Sequence, residues 1–136
     1  MDNTFELKKG KLVFEEDKIV ITDNARYERR YRLISSSILI LFGLYELIKY
    51  LGKSEMFSFR FGLLMGASGL VNLAFEYFKS SQNEIYYKDV KSLKVNRIFS
   101  SDVLFIRMHN NKTRRVNGIY NAERLAEYIQ SSSFPI

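Results

Sequence analysis

LISSSILILFGLYELIKYL, residues 33–51, and FRFGLLMGASGLVNLAFEYF, residues 59–78, are two long apolar runs in a chain of 136 residues, and a short polar stretch separates them. Together they predict a helical hairpin over residues 33–78. The sequence on either side is charged, strand-like and basic. The fold class that follows is α+β: an antiparallel two-helix hairpin of transmembrane character, interrupting one small antiparallel β-domain made of residues 1–32 and 79–136, with a C-terminal helix over residues 121–131.

As a helix the first run would extend about 28 Å, close to the roughly 30 Å of a bilayer's hydrocarbon core. Its apolar character is interrupted by Ser35, Ser36, Ser37, Glu46 and Lys49, and that of the second run by Arg60, Asn72 and Glu76. A soluble hairpin packed on its own sheet or on a partner therefore stays open as the alternative. Against it stands the want of a wide polar face, which a water-facing helix normally carries. The second run also aligns Gly62, Gly66, Gly69, Asn72 and Glu76 at three- and four-residue steps. A stripe of small residues lets two helices approach closely in lipid, where no hydrophobic force drives them together.

In an antiparallel hairpin turning near Ser54, residues equidistant from the turn face each other. Arg32 then meets Glu76, Ser36 meets Asn72, Gly43 falls near Gly66, and Glu46 lies almost level with Arg60. Charges in or near lipid turn to a partner or snorkel to water, so ion pairs are expected between Arg32 and Glu76 and between Glu46 and Arg60.

The formal charge is +6, and it is uneven: residues 1–32 hold 8 Lys/Arg against 7 Asp/Glu, residues 33–78 hold 3 against 3, and residues 79–136 hold 10 against 5. A basic excess of this kind suits an anionic membrane surface, nucleic acid or plain solubility. Arg26, Arg29, Arg30 and Arg32 precede the first run, and Lys79, Lys88, Lys91 and Lys94 follow the second. Lys49, Lys53 and Arg60 lie near the turn. Basic flanks are retained in the cytoplasm, so both termini are expected there, in a multi-pass protein of the inner or plasma membrane. Residues 1–11 alternate charged and apolar types, so no cleavable signal peptide is expected. The chain has no cysteine, which excludes disulfides, thiolate metal sites and a cysteine nucleophile.

Before the hairpin, apolar pieces on both sides of Glu15-Glu16-Asp17-Lys18, ending in Ile19-Val20-Ile21, predict a β-hairpin. Asp23-Asn24 signals a turn or helix cap. After the hairpin, residues 84–87 read as a strand. Residues 92–99 follow, with Leu93, Val95 and Phe99 on one face, then a turn at Ser100-Ser101-Asp102 and a strand over residues 103–109. Asn110-Asn111-Lys112 forms the next turn, since Asn accepts left-handed conformations, and residues 113–116 return before Asn117-Gly118. Asn121 caps a helix whose Leu125, Tyr128 and Ile129 make an apolar stripe that closes the core. Residues 131–136 have little to hold them and are expected to fray.

This order of elements resembles the bacterial pleckstrin-homology-like membrane proteins. The likeness rests on the strand pair, the arginine-flanked hairpin, Ile85-Tyr86-Tyr87-Lys88-Asp89-Val90-Lys91-Ser92-Leu93, the meander with its Asn-Asn-Lys turn, and the helix opening Asn121-Ala122-Glu123-Arg124-Leu125. It is a likeness of pattern across nearly the whole chain, without a signature motif. It implies a bent, barrel-like antiparallel sheet plugged by the C-terminal helix, a binding or scaffolding role, and no catalytic residues.

Chemistry-bearing constellations are otherwise wanting. His109 is the single histidine and sits beside a turn, with no second His or Cys to join it at a metal. The Glu15-Glu16-Asp17 run reads as solvated. The glycines of the second run lie inside an apolar helix and not at a phosphate-binding turn. No cofactor and no enzymatic activity are expected. Lys94, Arg97, Arg107, Lys112, Arg114 and Arg115 come from successive strands and turns, so they can converge on one surface. That surface is expected to bind anionic lipid head groups or a protein partner, with a second copy of the chain as a further candidate. Nucleic acid is disfavoured, because Tyr86, Tyr87 and Phe99 come without an RNP-like motif.

Overall fold

A computed structural model describes residues 3–132 and 134. In chain order the elements are β1 (Thr4–Leu7), β2 (Gly10–Phe14), β3 (Lys18–Thr22), α1 (Ala25–Lys53), α2 (Met56–Tyr77), β4 (Lys79–Ser80), β5 (Glu84–Tyr86), a 3-10 turn (Tyr87–Asp89), β6 (Val90–Ile98), β7 (Ser101–Met108), β8 (Thr113–Asn117) and α3 (Ala122–Ser131). The chain divides into two compact units, residues 27–77 and the remainder on both sides of them. This is the expected α+β organisation with its boundary moved by a few residues. Asp23 Oδ1 accepts from the Ala25 amide at 3.1 Å, so α1 starts there. The cluster from Arg26 to Arg32 therefore forms the first turns of the helix, where the helix dipole gives cations no advantage.

In the β-unit, alternation decides burial. Phe5, Leu7, Leu12, Phe14, Ile19 and Ile21 come from β1, β2 and β3, and they meet Leu104, Ile106, Met108 and Val116 from β7 and β8 in one core. Burying each such side chain is worth about 1.5–3 kcal/mol. The strands make two four-stranded sheets, in the orders β1-β2-β3-β5 and β4-β8-β7-β6. The first is antiparallel throughout. The second carries one parallel pair, β4 with β8.

The expected barrel does not close. β4 and β5 are only 2 and 3 residues long, and they border different sheets with no ladder between them among the described residues. β1 is tied to the segment after β8 by a bridge of Leu7 with Ile119, with the Lys8 amide donating to the Gly118 carbonyl at 2.8 Å and the Tyr120 amide to the Glu6 carbonyl at 3.3 Å. α3 closes the core as expected: Asn121 Oδ1 accepts from the Arg124 amide at 3.4 Å, and Leu125 is fully buried.

The segment before α1 holds two turns where one was expected. The earlier turn needs Gly10, whose φ is +127° and whose Cβ position is filled by the Thr22 carbonyl. The turn at Asn110-Asn111-Lys112 forms as read, with Asn111 at φ 62° and Asn110 Oδ1 accepting from the Lys112 amide at 3.0 Å. The β6–β7 turn falls earlier than expected. Ile98 pairs with Ser101, so Phe99 leaves the strand face and occupies the turn at φ 54°. For a residue with a Cβ, a left-handed backbone costs roughly 1–2 kcal/mol.

The described tail residues do not fray: Ser131 ends α3, the Ser132 amide donates to the Tyr128 carbonyl at 3.0 Å, and Phe134 packs on Phe14 at 5.4 Å between centroids and on Tyr87 at 5.2 Å. The expected fraying at Ser133, Pro135 and Ile136 lies outside the described residues.

In the helical unit, α1 and α2 have 29 and 22 residues, or about 44 and 33 Å of helix. Both are long and apolar enough to cross a membrane. Ser54, at φ 53°, turns the chain between them.

Candidate functional site: the hairpin seam and a basic sheet face

The seam between α1 and α2 is lined by residues a water-soluble hairpin would put outside. Ser36, Gly43 and Glu46 are the buried positions of α1, and Ser58, Gly62, Gly69 and Glu76 those of α2. Glycine is required because backbones touch. A Cβ on Gly43 would lie 2.6 Å from the Gly66 nitrogen, one on Gly62 would lie 2.9 Å from the Gly43 carbonyl oxygen, and one on Gly69 would lie 2.9 Å from the Ser36 carbonyl oxygen. The large apolar side chains point away, with Leu41 66% and Leu64 67% exposed. Only 17% of the apolar window of each helix is buried within the protein.

Two of the expected seam pairs form. Arg32 Nε donates to Glu76 Oε1 at 2.7 Å, and Gly43 lies against Gly66. Two do not. Asn72 is exposed, and Ser36 faces Gly69 in its place, because the α2 stripe advances by seven residues through Gly62, Gly69 and Glu76. Glu46 is buried with Lys49 Nζ at 3.9 Å as its ionic neighbour, one turn along the same helix. Arg60 is exposed.

The second sheet sorts the six expected basic residues by strand parity. In the ladder, Lys94 pairs with Phe105 and Phe105 with Arg115, while Ser92 pairs with Arg107 and Arg107 with Thr113. Lys94, Arg107 and Arg115 thus share the outer face with Phe105, and all three are exposed. The Arg115 guanidinium lies 5.4 Å from the Phe105 ring centroid, a cation–π distance. Lys112 is half-buried in the β7–β8 turn, and Arg97 is exposed near the β6–β7 tip, opposite Asp102. Residues 90–117 contain seven Lys/Arg and the single carboxylate Asp102.

Arg114 does not belong to that surface. It is 2% exposed because it shares the inner parity of Val116. Its Nη2 donates to Asp23 Oδ1 at 2.7 Å, Nε to the Gln82 carbonyl at 3.1 Å, and Nη1 to the Arg115 carbonyl at 2.9 Å. Asp23 precedes α1, while Phe78 accepts from the Thr113 amide at 2.9 Å just after α2. Arg114 and its neighbour Thr113 therefore fasten the segments where the chain leaves the β-unit and returns. Strand alternation at Arg114-Arg115-Val116 carried this signal.

Of the aromatics near the basic residues, Tyr86 is exposed and Tyr87 buried. The Tyr87 hydroxyl donates to the Glu15 carbonyl at 2.9 Å, and burial pushes its pKa up to about 12. His109 is exposed. Among the described residues no group of three or more His, Asp or Glu side chains is placed to hold a metal ion. Comparison with known protein families, curated proteins and solved structures finds no match.

Proposed function

We propose that the protein is a non-enzymatic, membrane-anchored interaction module: the hairpin spans the bilayer, both termini lie on the cytoplasmic side, and the outer face of the second sheet binds anionic lipid head groups. The observation that carries the reading is the inverted burial of the hairpin. Serine, glycine and carboxylates fill its seam while leucine, isoleucine and phenylalanine face outward. Contiguous apolar surface of that extent is not left in water, and two helices joined at glycine backbones suit lipid.

Support for head-group binding is the outer face, where Lys94, Arg107 and Arg115 surround Phe105 with no acidic residue in the three ladder rows from Asn96 to Thr113. Each such basic residue near an anionic leaflet is worth about 1 kcal/mol. A protein partner with an acidic surface is the other occupant with matching charge. Support for the pleckstrin-homology-like reading is the element order, with a β-unit interrupted by the hairpin and ended by α3.

Sidedness tests the topology. The chain has no native cysteine, so Lys53→Cys and Ser132→Cys each report one site. In intact cells an impermeant maleimide should label the first and not the second. Labelling of Ser132→Cys from outside overturns the orientation.

A further inference from the structure

We infer that the β6–β7 tip is a membrane-docking finger that seats Phe99 in the interfacial layer of an anionic bilayer, with Arg97 and Lys94 on the head groups; this rests on the membrane-anchored reading above. The ladder from β7 to β8 ends at Val103 with Asn117, whereas the β6–β7 ladder runs on through Asn96–Val103, Arg97–Asp102 and Ile98–Ser101. The last two rows therefore form a ribbon of two strands that extends beyond β8. At its end Phe99 is 100% exposed.

A phenylalanine there has neither a packing reason nor a conformational one. It touches no core residue, and its φ of 54° is one that glycine or asparagine adopts more readily. An outlier of this kind points to function when the surroundings fit one. The surroundings here carry a net positive charge: Arg97 and Lys94 are exposed on opposite faces of β6, and Asp102, across the ribbon from Arg97, is the one carboxylate of residues 90–117 against seven Lys/Arg. An exposed aromatic tip with cations behind it matches a bilayer surface, whose apolar layer lies beneath negative head groups. An apolar pocket on a protein would match Phe99 but would give no role to Arg97 and Lys94.

The chain has no tryptophan, so Phe99→Trp makes a single-site probe in the full chain. The experiment reconstitutes that variant into phosphatidylcholine vesicles with and without phosphatidylglycerol, and compares its fluorescence with that of a Leu41→Trp variant, which probes the outward face of α1. The expected result is a blue shift and quenching of Phe99→Trp by acyl-brominated lipid in the anionic vesicles, with both lost on adding Lys94→Gln and Arg97→Gln. Quenching of Leu41→Trp alone, with Phe99→Trp red-shifted and open to acrylamide in both lipids, overturns the finger and leaves the anchor standing. Quenching of neither overturns both. Equal quenching of Phe99→Trp in neutral and anionic vesicles overturns the role given to Arg97 and Lys94.

Discussion

Arg114 and Asp23, 91 residues apart in sequence, meet in a buried ion pair of 2.7 Å. Asp23 also accepts from the first amide of α1, so one carboxylate starts the helix and holds β8. Removing one partner of a buried pair leaves an uncompensated charge and costs about 3–5 kcal/mol. Arg114→Ala should lower the unfolding free energy of the full chain in detergent by that amount, whereas Arg115→Ala on the outer face should change it by under about 0.5 kcal/mol. Equal small losses for both would return Arg114 to the surface.

The glycine seam predicts a different asymmetry. Gly43→Leu adds atoms where a Cβ already meets the Gly66 backbone, while a Cβ on Gly66 itself meets nothing within 4 Å. Gly43→Leu should lower the thermal unfolding temperature of the full chain in detergent, and Gly66→Leu should leave it nearly unchanged. Equal losses in both would mean that the helices meet on another face.

Tyr87 makes the β-unit sensitive to alkali. Burial disfavours its phenolate, so the folded state holds the proton more tightly than the unfolded chain does. The stability this contributes is complete below the ordinary tyrosine value of 10.0 and is lost as pH rises through about 12. Absorbance titration of phenolate should show a late component whose amplitude falls in Tyr87→Phe. An unchanged late component in the variant would assign it to other tyrosines. The same variant loses the hydrogen bond to the Glu15 carbonyl, at a cost of about 1 kcal/mol.

Phe99 offers the opposite sign. Phe99→Gly relieves a left-handed backbone without removing a core contact, and should raise stability by about 1 kcal/mol as read by thermal unfolding in detergent. A loss would show that Phe99 packs on the protein.

The hairpin was legible because its signals are long and independent: two apolar runs, aligned glycines, and a polar register that brought Arg32 to Glu76. The finer seam was not. Heptad-like advance turned Asn72 outward and set Glu46 beside Lys49, which counting residues from the turn does not resolve. In the strands, parity was present but overridden by composition. Grouping basic residues by type put Arg114 on the surface, whereas alternation with Val116 puts it in the core. Phe99 was lost to a turn shifted off the Ser100-Ser101-Asp102 cluster, and no local preference favours phenylalanine at positive φ.

Whether residues 33–78 are embedded in lipid is read by extraction. Membranes containing the full chain are washed in alkaline carbonate and then dissolved in detergent. The protein should stay in the carbonate pellet and be released only by detergent; recovery in the carbonate supernatant would mean that the hairpin lies outside the bilayer.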